Sequence, residues 1–102
     1  MAITEAQVRE GALRALAASS GGFISTEDLI PILQEMLNPT GDDLTILEGR
    51  SDTKFSQKVR NLVSHREQST SLETRGLANY DEELEGWRIT NSGRDYVAAQ
   101  RS

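Results

Sequence analysis

Residues 52–66 read DTKFSQKVRNLVSHR, a basic stretch in a chain whose net charge is −5. Four apolar residues recur there at the spacing of one helix side: Phe55, Val59, Leu62 and Val63. The spacing predicts a helix that begins at Asp52 or Thr53 and packs this stripe against a core. The opposite side then holds amide, hydroxyl and guanidinium groups, which is the composition of a surface that contacts something polar.

The segments on either side of this helix complete an ordered set of elements. A helix is predicted over 4–18 with a Thr4/Gln7 capping box, then a strand stub at 23–24, and a second helix capped by Ser25 or Thr26. After the basic helix come polar residues 67–71, one further helical turn over 72–75, and strands at 77–80 and 86–89 around an acidic turn. A short helix through Val97 ends the series.

Three short helices of this kind need the hairpin to close their core. The order therefore predicts an α+β fold of the winged helix-turn-helix type, with a three-helix core, a two-stranded wing and a short C-terminal helix. The 102 residues fit one domain, 1–102.

Composition narrows the class of protein. There is no cysteine, which excludes a disulfide framework and a thiolate metal site and is typical of a reducing cytoplasm. The sequence has no apolar run long enough to span a membrane and no secretory pattern at its start, so we expect a cytoplasmic protein.

Positive charge is local: residues 1–49 hold eight acids and two arginines, whereas 50–75 hold six basic residues and three acids. Such a balance disfavours loose binding to nucleic acid but allows a small basic footprint.

Three stretches resemble a known family. They are ISTEDLIPILQEML (24–37), DTKFSQKVRNLVSHR (52–66) and GLANYDEELEGWRITNSGRDYV (76–97). The last resembles the end of the N-terminal winged-helix domain of Mrr-type restriction proteins. The middle stretch resembles winged-helix modules attached to HNH or PD-(D/E)XK nucleases of modification-dependent restriction systems. The resemblance covers about residues 8–97 and implies binding of double-stranded DNA, with N6-methyladenine the favoured modification. It also implies a nuclease domain or partner chain, because neither nuclease motif is present here.

The outer side of the 52–66 helix supplies the candidate DNA contacts. Amide and guanidinium groups can bind base edges in the major groove with two hydrogen bonds, and a hydroxyl can bind either base type. The predicted base-reading residues are Gln57, Arg60, Asn61 and Ser64. Cations suit phosphate oxygens, which position a protein without specifying sequence. The predicted phosphate-binding residues are Arg50, Lys54, Lys58, Arg66 and Arg88. The alternative for this helix is a solvated outer side with no ligand.

The predicted wing carries evidence in both directions. Its turn holds four acids (Asp81, Glu82, Glu83 and Glu85), which DNA phosphates would repel. Arg88 follows the turn and could contact a phosphate or pair with these acids. Trp87 and Tyr80 are candidates for stacking on an extruded or methylated base. For Trp87 the favoured interpretation is a core residue beneath the wing, because it shares one side of its strand with Ile89.

No catalytic or metal-binding pattern is present. His65 is the only histidine, and it has neither a nucleophile nor further ligands at a suitable spacing. We therefore expect no enzyme activity, metal, cofactor or small-molecule substrate. The leading interpretation is a non-catalytic reader of double-stranded, possibly methylated DNA. The alternative is a protein–protein interaction or dimerisation winged helix that uses its acidic faces.

Overall fold

A hydroxyl side chain caps the N-terminus of each of the first three helices of the protein. A computed structural model describes residues 3–38, 53–68 and 71–101 and gives four helices and three strands in that part of the chain. In chain order these are α1 (Glu5–Ala18), β1 (Phe23–Ser25), α2 (Thr26–Leu37), α3 (Lys54–Ser64), β2 (Ala78–Asp81), β3 (Gly86–Ile89) and α4 (Asn91–Arg101).

The predicted helix starts are confirmed, and α1 and α3 begin in the same way. The Thr4 hydroxyl accepts from the Gln7 N–H at 3.1 Å, and the Gln7 side chain accepts from the Thr4 N–H at 2.8 Å. At α3 the N-terminal cap is Thr53, whose hydroxyl accepts from the Ser56 N–H while Ser56 Oγ accepts from the Thr53 N–H. Each box satisfies backbone donors that a helix start leaves without partners. The sequence was compatible with a start of α3 at Asp52 or at Thr53, and Thr53 is the capping residue.

The strand stub extends the hairpin into a three-stranded antiparallel sheet. Its order is β1-β3-β2, so β3 is the central strand. Trp87 on β3 lies opposite Ile24 on β1 and Tyr80 on β2. The prediction of a two-stranded unit was therefore incomplete. Pairing with β3 satisfies backbone groups of a three-residue segment that is too short for its sequence pattern to indicate a partner.

Smaller differences occur where turns end or extend elements. The helical turn predicted over 72–75 is present as a single hydrogen-bonded turn, in which the Arg75 N–H donates to the Ser71 carbonyl oxygen at 3.1 Å, and it ends at Gly76, whose φ of 74° lies in the left-handed region. β2 begins one residue later than expected, and α4 extends to Arg101 rather than ending near Val97. Thr90 supports α4 because its hydroxyl accepts from the Gly93 N–H at 3.0 Å.

The core lies between α1, α2, α3 and one side of the sheet. Phe55, Val59 and Leu62 are buried as the predicted stripe requires, while Val63 is only partly buried. Trp87 is the largest fully buried side chain of the described residues. This core fixes the rotation of α3 and hence decides which of its side chains remain accessible. No helix in the described ranges has the length and apolar character to cross a membrane.

Candidate nucleic-acid interface

The side of α3 that faces α1 is held by contacts with the start of α1 and with the residues just before it. Lys58 Nζ donates to the Ile3 carbonyl oxygen at 2.5 Å. Asn61 Nδ2 donates to Glu5 Oε1 at 3.2 Å, and His65 Nδ1 lies 3.4 Å from Glu5 Oε2. Lys58 thus anchors the segment before α1, and a phosphate would have to share its ammonium group with a backbone carbonyl.

The four predicted base-reading residues do share the outer part of α3. Gln57, Arg60 and Asn61 are half-buried, whereas Ser64 is exposed. Gln57 Nε2 donates to Asn61 Oδ1 at 2.9 Å, one helical turn away. The two amides therefore form a connected pair in the unbound protein, and a base edge would have to exchange part of that pair for its own hydrogen bonds.

Two ion pairs lie towards α2 and the hairpin, one from α3 and one from Arg66 just after its end. Arg60 Nη1 lies 2.9 Å from Glu27 Oε1, on the first turn of α2. Arg66 Nη2 lies 3.0 Å from Glu82 Oε1, in the turn between β2 and β3. The Arg66 guanidinium also lies over the Tyr80 ring, 5.3 Å from its centroid. Each arginine is thereby aligned by a carboxylate from another element.

Trp87 does not take the stacking role considered for it. Its side chain is 0% exposed, and its ring meets the Tyr80 ring edge-on, with centroids 5.4 Å apart and planes at 61°. The interpretation of Trp87 as a core residue beneath the wing is confirmed, because a fully buried ring presents no surface to a base. Tyr80 is only half-buried and remains available at the surface.

A cleft of about 270 Å³ opens beside the outer part of α3, between α2 and the hairpin. We call it the hairpin cleft, and its lining is Thr26, Glu27, Arg60, Val63, Ser64, Tyr80 and Glu85. Tyr80 and Val63 supply aromatic and apolar wall, while Ser64 and Glu85 supply hydrogen-bond acceptors. Thr26 is 8% exposed, and its hydroxyl has no hydrogen-bond partner among the described residues. A cleft of this size and mixed lining suits a small group with both apolar and polar parts.

The hairpin's acids and Arg88 differ from one another in their contacts. Asp81 Oδ1 accepts from the backbone N–H groups of Glu83 and Leu84 at 3.0 and 3.1 Å, so this carboxylate builds the turn. Arg88 is exposed and its guanidinium lies 5.0 Å from the centroid of the Phe23 ring. In the described hairpin it stacks on that ring and forms no ion pair with the turn acids, so its charge stays at the surface.

Of the other predicted phosphate-binding residues, Lys54 is exposed at the start of α3, and Arg50 lies outside the described residues. The residues that sequence reasoning missed are the carboxylates that contact α3 or Arg66 just after it: Glu5, Glu27 and Glu82. They lie 56, 33 and 16 positions from their partners. The sequence offered one signal for two of them, since acids favour the first turn of a helix. It offered no signal for what they contact.

Neither a metal-binding cluster nor a related protein assigns a further site to the described residues. Within 3–38, 53–68 and 71–101, no group of three or more His, Cys, Asp or Glu side chains could hold a metal ion. The chain matches no protein-family model, no curated protein and no solved structure at a significant level.

Proposed function

We propose that the protein is a winged helix-turn-helix module that reads double-stranded DNA with α3 in the major groove. The element order supports the fold assignment, since a hairpin follows three helices and α3 precedes it. The observation that carries the proposal is the outer part of α3, where Gln57, Arg60, Asn61 and Ser64 lie together with Lys54 nearby. These side chains combine base-edge hydrogen bonding with phosphate contact, the two components of sequence-specific DNA binding.

Methylated adenine is the favoured target, as the resemblance to restriction-type winged helices implies. The hairpin cleft supports this choice chemically. An N6-methyl group needs an apolar or aromatic surface, which Tyr80 and Val63 offer, and the remaining N–H needs an acceptor, which Ser64 or Glu85 offers. The module itself performs no chemistry in this proposal and directs a nuclease domain or partner chain to modified duplexes.

Electrostatics sets the expected strength of binding. A protein that neutralises four phosphates shows a slope of about −3.6 when the logarithm of the binding constant is plotted against that of salt concentration. Every cation that remains in an ion pair with a carboxylate of the protein, and so contacts no phosphate, reduces the size of that slope by about 0.9. A single module with a small interface should bind modestly on its own.

The test is a comparison of methylated and unmethylated duplex libraries, with bound sequences read out at low salt. Enrichment of duplexes with N6-methyladenine supports the complete proposal. Enrichment of a sequence irrespective of methylation supports duplex reading and removes the methyl preference. The absence of any duplex binding at low salt overturns the proposed function.

A second function, protein–protein interaction, is favoured by one surface. On α2, Ile32 and Met36 are 37% and 44% exposed and border an apolar groove against α1. The same helix carries three acids and no basic residue. Large exposed apolar side chains on an acidic helix suit a partner with a complementary surface. Loss of self-association or partner binding on Met36→Glu, with duplex binding unchanged, would support this function.

A further inference from the structure

Two arginines of the proposed DNA-contacting surface are held by carboxylates that come from outside α3. Arg60 pairs with Glu27 of α2 at 2.9 Å, and Arg66 pairs with Glu82 of the hairpin turn at 3.0 Å. These two elements flank α3 and both reach towards the outer part of the helix. The same surface therefore contains the cations that would attract DNA and the anions that neutralise them.

The exposure of the partners shows which of them is on the outside. The side chains of Arg60 and Arg66 are 35% and 30% exposed, whereas those of Glu27 and Glu82 are 70% and 75% exposed. In both pairs the carboxylate is thus the more solvent-exposed partner. Each phosphate contact through these arginines requires that a carboxylate be displaced or tolerated beside another anion.

Arg66 is held in place by more than its ion pair. Its Nη1 donates to the Val63 carbonyl oxygen at 2.9 Å, and its guanidinium lies over the Tyr80 ring. It is therefore oriented by α3 and the hairpin even when Glu82 is changed. Removal of the carboxylate should free the charge of Arg66 without releasing its position.

We propose that Glu27 and Glu82 are specificity-determining residues, which withhold Arg60 and Arg66 from phosphates so that phosphate attraction alone gives weak binding. This inference rests on the proposed DNA-reading function. Phosphate contacts supply essentially all of the affinity for non-target DNA. A surface with two of its cations neutralised loses much of that affinity, while the hydrogen bonds of Gln57, Asn61 and Ser64 to base edges do not depend on these cations and are retained for a matching sequence. The acids thereby raise the dependence of binding on the correct bases.

Two other glutamates provide matched controls. Glu35 is exposed on α2, as Glu27 is, and Glu83 is exposed beside Glu82 in the same turn. Neither forms an ion pair with a described cation. A change of any of the four to glutamine removes one negative charge, so a general effect of net charge would be equal in all four variants.

The experiment measures binding of one labelled non-target duplex by the full chain over a range of salt concentrations. We expect Glu27→Gln and Glu82→Gln to bind about two- to fivefold more tightly at low salt, the range of an exposed ion pair. The size of the log–log salt slope should rise by about 0.9 in Glu82→Gln, because the Arg66 charge becomes available to a phosphate, and by no more than that in Glu27→Gln. Glu35→Gln and Glu83→Gln should keep the wild-type slope. A urea titration of each variant checks that it remains folded.

The outcomes separate this inference from the function on which it rests. If the wild type binds and all four variants have the same slope, the two acids have no special role and the DNA-reading function stands. If only the Glu27→Gln/Glu82→Gln double variant binds, the withholding role is supported and the wild type is not a reader of that duplex class. If neither the wild type nor the double variant binds any duplex, both proposals are overturned.

Discussion

Replacement of Asn61 by alanine separates base reading from mere contact with DNA. In the unbound protein the Asn61 side chain accepts from Gln57 at 2.9 Å and donates to Glu5 at 3.2 Å. A typical intramolecular hydrogen bond contributes about 0.5–1.5 kcal/mol net. Because Asn61 is only half-buried, water can replace both bonds, and Asn61→Ala should destabilise the fold by no more than about 1–2 kcal/mol.

The effect on binding should be of a different kind. A bidentate contact between an amide side chain and a base contributes about 1–3 kcal/mol of discrimination. Asn61→Ala should therefore reduce the preference for the best base at one position by about five- to 150-fold, while affinity for non-target duplexes changes little. The assay is competition binding with a set of duplexes that differ at single positions. Asn79→Ala is the matched control, since Asn79 is an exposed asparagine on β2. If Asn61→Ala weakens every duplex by the same factor, Asn61 does not read a base.

Three further outcomes test other parts of the account. Gly93→Ala should lower the free energy of unfolding by at least about 1–3 kcal/mol, because the added Cβ would clash with the Leu77 carbonyl oxygen. A urea titration measures this change. Gly21→Ala is the control and should stay near wild type, because no atom lies within 4 Å of its added Cβ. The fluorescence of Trp87, the only tryptophan, should be unchanged when DNA is added, whereas quenching would show that its ring reaches a base. Lys54→Ala should weaken all duplexes about equally and reduce the size of the salt slope by about 0.9, and an unchanged slope would exclude a phosphate contact there.

Much of the local structure was predictable because its causes are local. The Thr4/Gln7 capping box and the buried stripe with Phe55 and Val59 follow from residues three and four positions apart, and both predictions are confirmed. At the start of α3 the capping box forms with Ser56, although a longer polar side chain is usual at that position. Elements whose bounds depend on neighbours were less certain. The pairing of β1 with β3 brings together residues more than sixty positions apart, and nothing in a three-residue strand specifies that partner.

The candidate site was predictable in membership but not in its electrostatic state. The helical repeat alone places Gln57, Arg60, Asn61 and Ser64 on the outer part of α3. It cannot place Glu27 or Glu82 beside that helix, because their positions follow from the packing of α2 and the hairpin. The strand repeat places Trp87 on the same side as Ile89, which favoured the core, and both side chains are buried.

The central claim is that the outer part of α3 binds duplex DNA, and a salt titration tests it most directly. Anisotropy of a labelled duplex, followed from low to physiological salt, gives both affinity and the number of phosphate contacts. The account predicts measurable binding at low salt and a log–log slope of about −2 to −4, which corresponds to two to four contacted phosphates. A slope near zero, or no binding at the lowest salt, would contradict it.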